Sequence, residues 1–346
     1  RMGQQLSSHP DSRIVDTVYG KVQGRRLIYE GDRQVDAFQG IPYAKPPVGP
    51  LRFKKPQSPD RWEGIKQTKT WGNRCTQINL FWFESVMKGI PSEDCLYLNV
   101  FTPCWEPPKE GFPVMLFIHG GGFLFGDAST YGDIGICENL VPRDVIVVTI
   151  HYRVGYLGFF TTGDSACPGN LGLWDQTEAL KWVQLNIAAF GGNKNNVTVF
   201  GQSAGGASVD LLHLSPHSSG LFHRALAMGG SATCRWATSY RMVEQSKLKV
   251  KKLGITDYNN SEELLEKLRA LPATSFSVNI VKQEKFDDVD FEAAPVIDGD
   301  FFPDTLENLR AKVVAKPLMT GVAKEEGAFF QKDSTTLQLR GASEGF

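Results

Sequence analysis

The chain of 346 residues carries 37 Lys and Arg against 38 Asp and Glu, so its formal net charge is -1. Hydrophobic residues make up 41% and charged residues 22%, a composition that excludes collagen-like, coiled-coil and disordered classes. The balanced charge exerts no general pull toward nucleic acid or anionic membranes, and no apolar run reaches the ~18 residues that cross a bilayer.

Residues 1–17 read as a polar N-terminal tail without the apolar core of a secretory signal. From Met2 they fit the pattern M-G-x-x-x-[ST], which marks Gly3 as an N-myristoylation acceptor. One acyl chain would hold a membrane only weakly. Residues 38–53 (FQGIPYAKPPVGPLRF) are too rich in Pro and Gly for a helix interior and read as a loop-rich approach to the core. Buried-strand signals then alternate with helical ones. Segments 96–102, 114–118 and 145–152 read as strands. Segment 176–189 places Ala179, Leu180, Trp182, Val183 and Ala189 at helical spacing. Segment 196–200 is a strand, 204–214 a helix, and 225–228 and 318–322 are short strands. Segment 262–271 is a helix with Asn260 and Glu263 as its cap pair. This alternation predicts an α/β domain with a mainly parallel sheet and no linker that divides it.

The six cysteines are Cys75, Cys95, Cys104, Cys137, Cys167 and Cys234. No pair or Cys/His cluster has the spacing of a zinc site, so no metal is expected. Unpaired, they read as buried thiols of a reducing compartment.

Two motifs carry chemistry. Gly201-Gln202-Ser203-Ala204-Gly205 matches G-x-S-x-G, and a predicted strand leads into it while small residues opening a helix lead out. That strand–turn–helix exposes a serine on a strained backbone and points the helix N-terminus at a developing oxyanion. Upstream, His119-Gly120-Gly121-Gly122 follows the strand at 114–118. Its glycines present backbone N–H groups without side-chain obstruction, and the expected partner is the N–H of Ala204. A phosphate-binding turn fits less well, because neither a Walker loop nor G-x-G-x-x-G is present.

With these motifs in place, the chain resembles the type B carboxylesterase/cholinesterase family of α/β-hydrolases. Matching strings include SEDCLYLNVFTP, HYRVGYLGFF, GNLGLWDQTEALKWVQLNIAAFGGN, APVIDGDFFPD and GVAKEEGAFF. The resemblance implies an α/β-hydrolase domain over 18–346, with a mainly parallel central sheet flanked by helices and the C-terminal part of the fold missing after the catalytic acid. It implies Ser203 as nucleophile, Glu326 as triad acid, and Gly121, Gly122 and Ala204 as oxyanion hole. It pairs Cys75 with Cys95 as a disulfide. The implied reaction is two-step acyl transfer on small carboxylic esters, with no cofactor and no nucleic-acid partner.

The chain also departs from the family. The triad histidine should follow the acid, yet His9, His119, His151, His213, His217 and His223 all precede Glu326. None has the sequence context of the family base, so the chain as written is expected to be severely impaired. His119, in the glycine turn, reads as structural. A second family disulfide maps onto Ile255 and Lys267, and its loss favours a cytoplasmic location; a lost upstream signal would instead imply an extracellular one. The family position for a choline-binding Trp is Ser85, with Trp82 three residues earlier, so a general carboxylesterase is expected over a choline esterase. Asn196 and Asn259 lie in N-glycosylation patterns, the first in a predicted core strand. The competing function is a non-catalytic adhesion or scaffold member of the family, which the presence of both Ser203 and Glu326 disfavours.

Overall fold

A computed structural model of the chain describes residues 9–28, 30–77, 87–278 and 291–326. Three strands open it: β1 (Asp11–Thr17), β2 (Gly20–Ile28) and β3 (Val35–Pro42) form an antiparallel meander. β4 (Ile65–Gln67) adds to β2, and β5 (Arg74–Cys75) pairs with β6 (Pro91–Ser92) in a separate two-stranded sheet. The meander is joined by β7 (Tyr97–Pro103), then by β9 (Ile146–Ile150), β8 (Phe112–Ile118), β10 (Gly192–Gln202), β11 (Arg224–Met228) and β12 (Leu318–Gly321). From β9 through β12 every pairing is parallel. The result is the α/β-hydrolase architecture, with antiparallel strands at one edge and a parallel half beyond them.

The parallel strands are buried on both faces, which explains their unbroken apolar reading. β9 is Ile-Val-Val-Thr-Ile, all five residues buried. The covering helices are α1 (Ile134–Asn139), α2 (Gly155–Phe159), α3 (Leu171–Asn186), α4 (Ala204–Leu214), α5 (Met242–Lys252), α6 (Ser261–Arg269) and α7 (Leu306–Lys312). The side chain of Asn260 caps α6 by accepting from the Glu263 N–H at 3.0 Å, as the cap pair predicts.

Two expectations need correction. Residues 11–17, read as tail, are a strand of the main sheet. Their outward polar residues hid the pattern, since only Val15 is an inward apolar residue. What holds them is Arg13, whose guanidinium sits 3.0 Å from the fully buried carboxylate of Asp36 on β3, which Arg26 also pairs at 3.0 Å. Residues 38–42, read as part of a loop-rich stretch, are the end of β3. The glycine in this run sits at φ 77°, where the register of β3 against β7 shifts, so it marks a bulge and not a break.

Helix α3 is buried nearly all round, and its fully buried carboxylate, on Asp175, is fully engaged. Asp175 receives both ends of the Arg153 guanidinium at 2.7 and 2.8 Å and the Arg153 N–H at 3.0 Å. The two side chains are 0% and 5% exposed. Replacing Asp175 by Ala strands a buried guanidinium, and such a loss costs about 3–5 kcal/mol. Urea unfolding of Asp175→Ala is expected to show that drop, whereas a change below ~1 kcal/mol would contradict it.

Candidate active site

Strand β10 ends at Gln202 and α4 begins at Ala204, so the reversal falls on Ser203 alone, at φ 57°, ψ -123°. A residue with a Cβ adopts this conformation only when its surroundings force it. Here the Ser203 N–H donates to Met228 O on β11 at 2.8 Å, and the Ser203 carbonyl accepts from Ala207 N–H at 2.9 Å. Gly205 lets the helix start approach the neighbouring strand: a Cβ there would stand 2.0 Å from Ile118 O. Ser203 is half-buried, and among the described residues its hydroxyl makes no hydrogen bond.

The glycine turn leaves the end of β8, beside β10 in register Gly201 to Ile118. Gly121 has φ 114°, and a Cβ there would lie 2.1 Å from Phe125 O. Its carbonyl accepts from Leu124 and Phe125 N–H at 3.0 and 3.2 Å, closing the turn on itself. Among the described residues, the N–H groups of Gly121, Gly122 and Ala204 have no acceptor. They are unspent donors at the same sheet end as Ser203. Beyond the turn, the Gln77 amide accepts from Gly126 N–H at 2.7 Å and donates to Gly126 O at 3.0 Å. It also donates to Cys75 O at 3.0 Å. Cys75 is disulfide-bonded to Cys95, as the resemblance implies, so the loop between them is tied to the glycine turn.

Sequence reading missed an aromatic cluster beside the glycine turn. Trp236 lies in the segment after β11, Phe291 far along the chain, and Phe123 in the turn itself. Their rings meet at centroid distances of 5.9 Å (Trp236 to Phe291) and 6.3 Å (Trp236 to Phe123). The Phe291 ring reaches to 3.2 Å from where a Gly122 Cβ would be. No local signal connects these three positions; only the fold does.

Glu326 follows β12 and is exposed. Its carboxylate stands 3.1 Å from where a Cβ on Gly229 would sit and accepts from Ala323 N–H at 2.9 Å. Among the described residues no hydrogen bond joins it to Ser203 or to an imidazole. The histidines are engaged elsewhere. His213 and His217 face Val314 O and Asp300 O at 3.1 and 3.0 Å, and His223 Nδ1 accepts from Val197 N–H at 3.2 Å. His151 Nδ1 meets Asn73 O at 3.0 Å, and His119 Nδ1 meets Gly120 O at 2.8 Å. Both rings are fully buried. Burial pushes the His119 imidazole down to about 4, with the nearby His151 adding to the fall and the Gly120 carbonyl and Asp127 opposing it. Burial likewise lowers His151 against the pull of Asp127 and the Asn73 carbonyl. Gly3, Trp82 and Ser85 lie outside the described residues.

The sheet, the serine turn and the glycine turn define an α/β-hydrolase. Residues 11–342 match the carboxylesterase family, and the chain belongs to it. It is 45% identical to esterase cest-33 of Caenorhabditis elegans over 89% of its own length and 56% of that protein. It is 40% identical to esterase FE4 of Myzus persicae over 89% of itself and 54% of the relative. It is also 36% identical to human neuroligin-2, over 93% of itself and 42% of that protein. The chain thus spans about half the length of the curated relatives it matches.

Two outcomes follow from this geometry. Replacing Ser203 by Gly relieves the positive-φ strain that Ser203→Ala retains. The glycine variant is therefore expected to be more stable than the alanine variant by about 1 kcal/mol in urea unfolding, after the entropy glycine adds to the unfolded chain. Equal stability, or a more stable Ala variant, would remove the case for strain. The second outcome concerns acid. His119 is neutral in the fold down to about pH 4 but takes a proton near 6.5 when unfolded. Below pH 6.5 the unfolded state binds more protons, so stability is full above that pH and falls as pH drops toward 4, by at most about 1.4 kcal/mol per pH unit from this group. Urea midpoints measured between these limits should fall less steeply in His119→Asn than in the parent chain. Parallel profiles would show that His119 does not titrate as described.

Proposed function

We propose that this chain carries the acyl-transfer half of a carboxylic ester hydrolase. The observation that carries the reading is the strained backbone of Ser203, on a turn that leaves the sheet beside the glycine turn and its unspent N–H groups. In this reading the Ser203 oxygen attacks the ester carbonyl, and the oxygen that becomes negative is received by the N–H groups of Gly121, Gly122 and Ala204. The tetrahedral adduct collapses, the C–O bond to the alcohol breaks, and the alkoxide leaves as the alcohol by taking the proton that the Ser203 hydroxyl lost on attack. Water then attacks the acyl-serine and releases the acid. The partly exposed rings of Trp236 and Phe291, backed by the buried Phe123, suit small esters with an apolar acyl or alcohol part. Glu326 is assigned as the acid that orients a protonated base. No imidazole of the described residues stands against Ser203 or Glu326, so the 346-residue chain by itself is read as a slow enzyme. Its rate rests on the oxyanion donors and substrate binding, which alone leave about 10³–10⁴-fold over water. The Cys75–Cys95 bond fits an oxidising compartment and runs against the cytoplasmic expectation. Weak membrane association through an acylated Gly3 stays part of the proposal, on the motif alone. The match to neuroligin-2, a relative not named as an esterase, carries a second reading, a non-catalytic adhesion or scaffold protein.

A fluorophosphonate probe tests the first reading against the second. Slow labelling that disappears in Ser203→Ala is expected, together with p-nitrophenyl ester turnover at least ~100-fold below that of a full-length esterase relative. Labelling that survives Ser203→Ala, or turnover equal to the relative's, would sink the proposal. No labelling of the folded chain at any probe concentration would favour the non-catalytic reading.

A further inference from the structure

The His119 ring lies beneath the glycine turn, and the acyl-transfer reading gives it no task. Its surroundings are specific. The ring is 1% exposed and stacks on Tyr152 at a centroid distance of 4.3 Å and 18°. The Tyr152 hydroxyl donates to His119 O at 3.0 Å, so one tyrosine clamps both the ring and the backbone of His119. Nδ1 lies 2.8 Å from Gly120 O. A carbonyl oxygen only accepts, so Nδ1 carries the proton of this neutral ring and Nε2 is a bare lone pair. Nε2 is buried with no partner, as are His151 Nε2 and Asp127 Oδ2 nearby. Tyr131, whose phenol is influenced by the Gly120 backbone and by Asp127, completes the titratable groups around the turn.

The consequence lies in the next peptide. In a trans peptide the C=O and N–H point in opposite directions across one plane. Drawing the Gly120 carbonyl onto the His119 ring therefore aims the N–H of Gly121 the other way. Gly120 itself abuts the nucleophile: a Cβ there would be 3.1 Å from Ser203 Cβ. We propose that His119 is a positioning residue, which holds the Gly120–Gly121 peptide in the one orientation that presents the Gly121 N–H to the oxyanion formed over Ser203. The inference rests on the acyl-transfer reading of Ser203. His119 does not act as the base: its ring is enclosed, its Nδ1 proton is committed to Gly120, and it makes no hydrogen bond to Ser203.

The test separates a donor from a filler. An Asn side chain places an amide N–H where the His Nδ1–H lies, whereas Phe keeps the stack on Tyr152 and loses the donor. On the full chain, the rate of Ser203 labelling by the fluorophosphonate is expected to fall about 100-fold in His119→Phe and to recover to within about tenfold of the parent in His119→Asn. Thermal unfolding establishes that each variant is folded. Parental rates in His119→Phe, or equally slow labelling in both folded variants, would overturn the proposal. If the parent itself is not labelled, the acyl-transfer reading fails, and the backbone still answers. The Gly121 amide resonance in a ¹H–¹⁵N spectrum should move in His119→Phe and return in His119→Asn; an unmoved resonance in His119→Phe refutes the positioning role. Should His119→Phe not fold, the imidazole ¹⁵N spectrum of the unmutated chain decides. The Nδ1–H tautomer at neutral pH is expected, and the Nε2–H tautomer would overturn the assignment.

Discussion

Everything at the site depends on how closely two neighbouring parallel strands let their C-terminal turns approach. β8 and β10 run in register to Ile118 and Gly201, so the glycine turn and the serine turn leave the sheet side by side. The contact between them is backbone on backbone. Gly205 lies over Ile118 O with no room for a Cβ, and Gly120 lies against Ser203. On the proposed reading, this approach lets N–H groups of the two turns serve one substrate oxygen. A sheet in which these strands were antiparallel would send the turns to opposite ends. Parallel topology is thus the first condition of the chemistry proposed here.

A second condition is rigidity. Ser203 holds an unfavourable backbone conformation, which persists only if hydrogen bonds on both sides outweigh it. They come from Met228 on β11 and Ala207 on α4. The glycine turn is braced in the same way, by its own i+3 and i+4 bonds and by Gln77 from the disulfide loop. Deeper in, Arg153 and Asp175 lock the segment after β9 to α3. These groups cluster near the ends of the strands that carry the turns. Buried polar groups of this kind are costly unless fully paired, so they favour one arrangement over its alternatives.

The sequence revealed the parallel half of the fold because those strands are apolar throughout and short turn motifs punctuate them. It revealed Ser203 and the glycine turn because backbone geometry demands glycine at fixed offsets, which is visible in one dimension. The antiparallel edge was less legible. β1 shows little alternation, and its attachment comes from Arg13 reaching a buried aspartate on another strand. The aromatic cluster was illegible for a similar reason, since Phe123, Trp236 and Phe291 become neighbours only after the crossovers are made. His119 was read as structural, and the structure places it in the turn's foundation. Its bond to Gly120 is between adjacent residues, but it acquires meaning only from the stack on Tyr152 and the approach of Gly120 to Ser203.

On the proposed reading, the site is unevenly prepared. Its oxyanion donors are backbone groups fixed by sheet register, turn closure and the His119 brace. The proposed acid, Glu326, sits on an exposed stretch after β12, the edge strand of the sheet among the described residues, and its described hydrogen bond is to the nearby Ala323 N–H. A carboxylate in water supports an imidazolium weakly, because solvent screens it. A backbone N–H beneath a half-buried serine keeps its strength, since it needs no reorganisation when charge develops. The donors also offer no side chain of their own to remove. Their contribution is therefore reached experimentally through the residues that hold their peptides in place, and among these His119 is bonded directly to the peptide it orients.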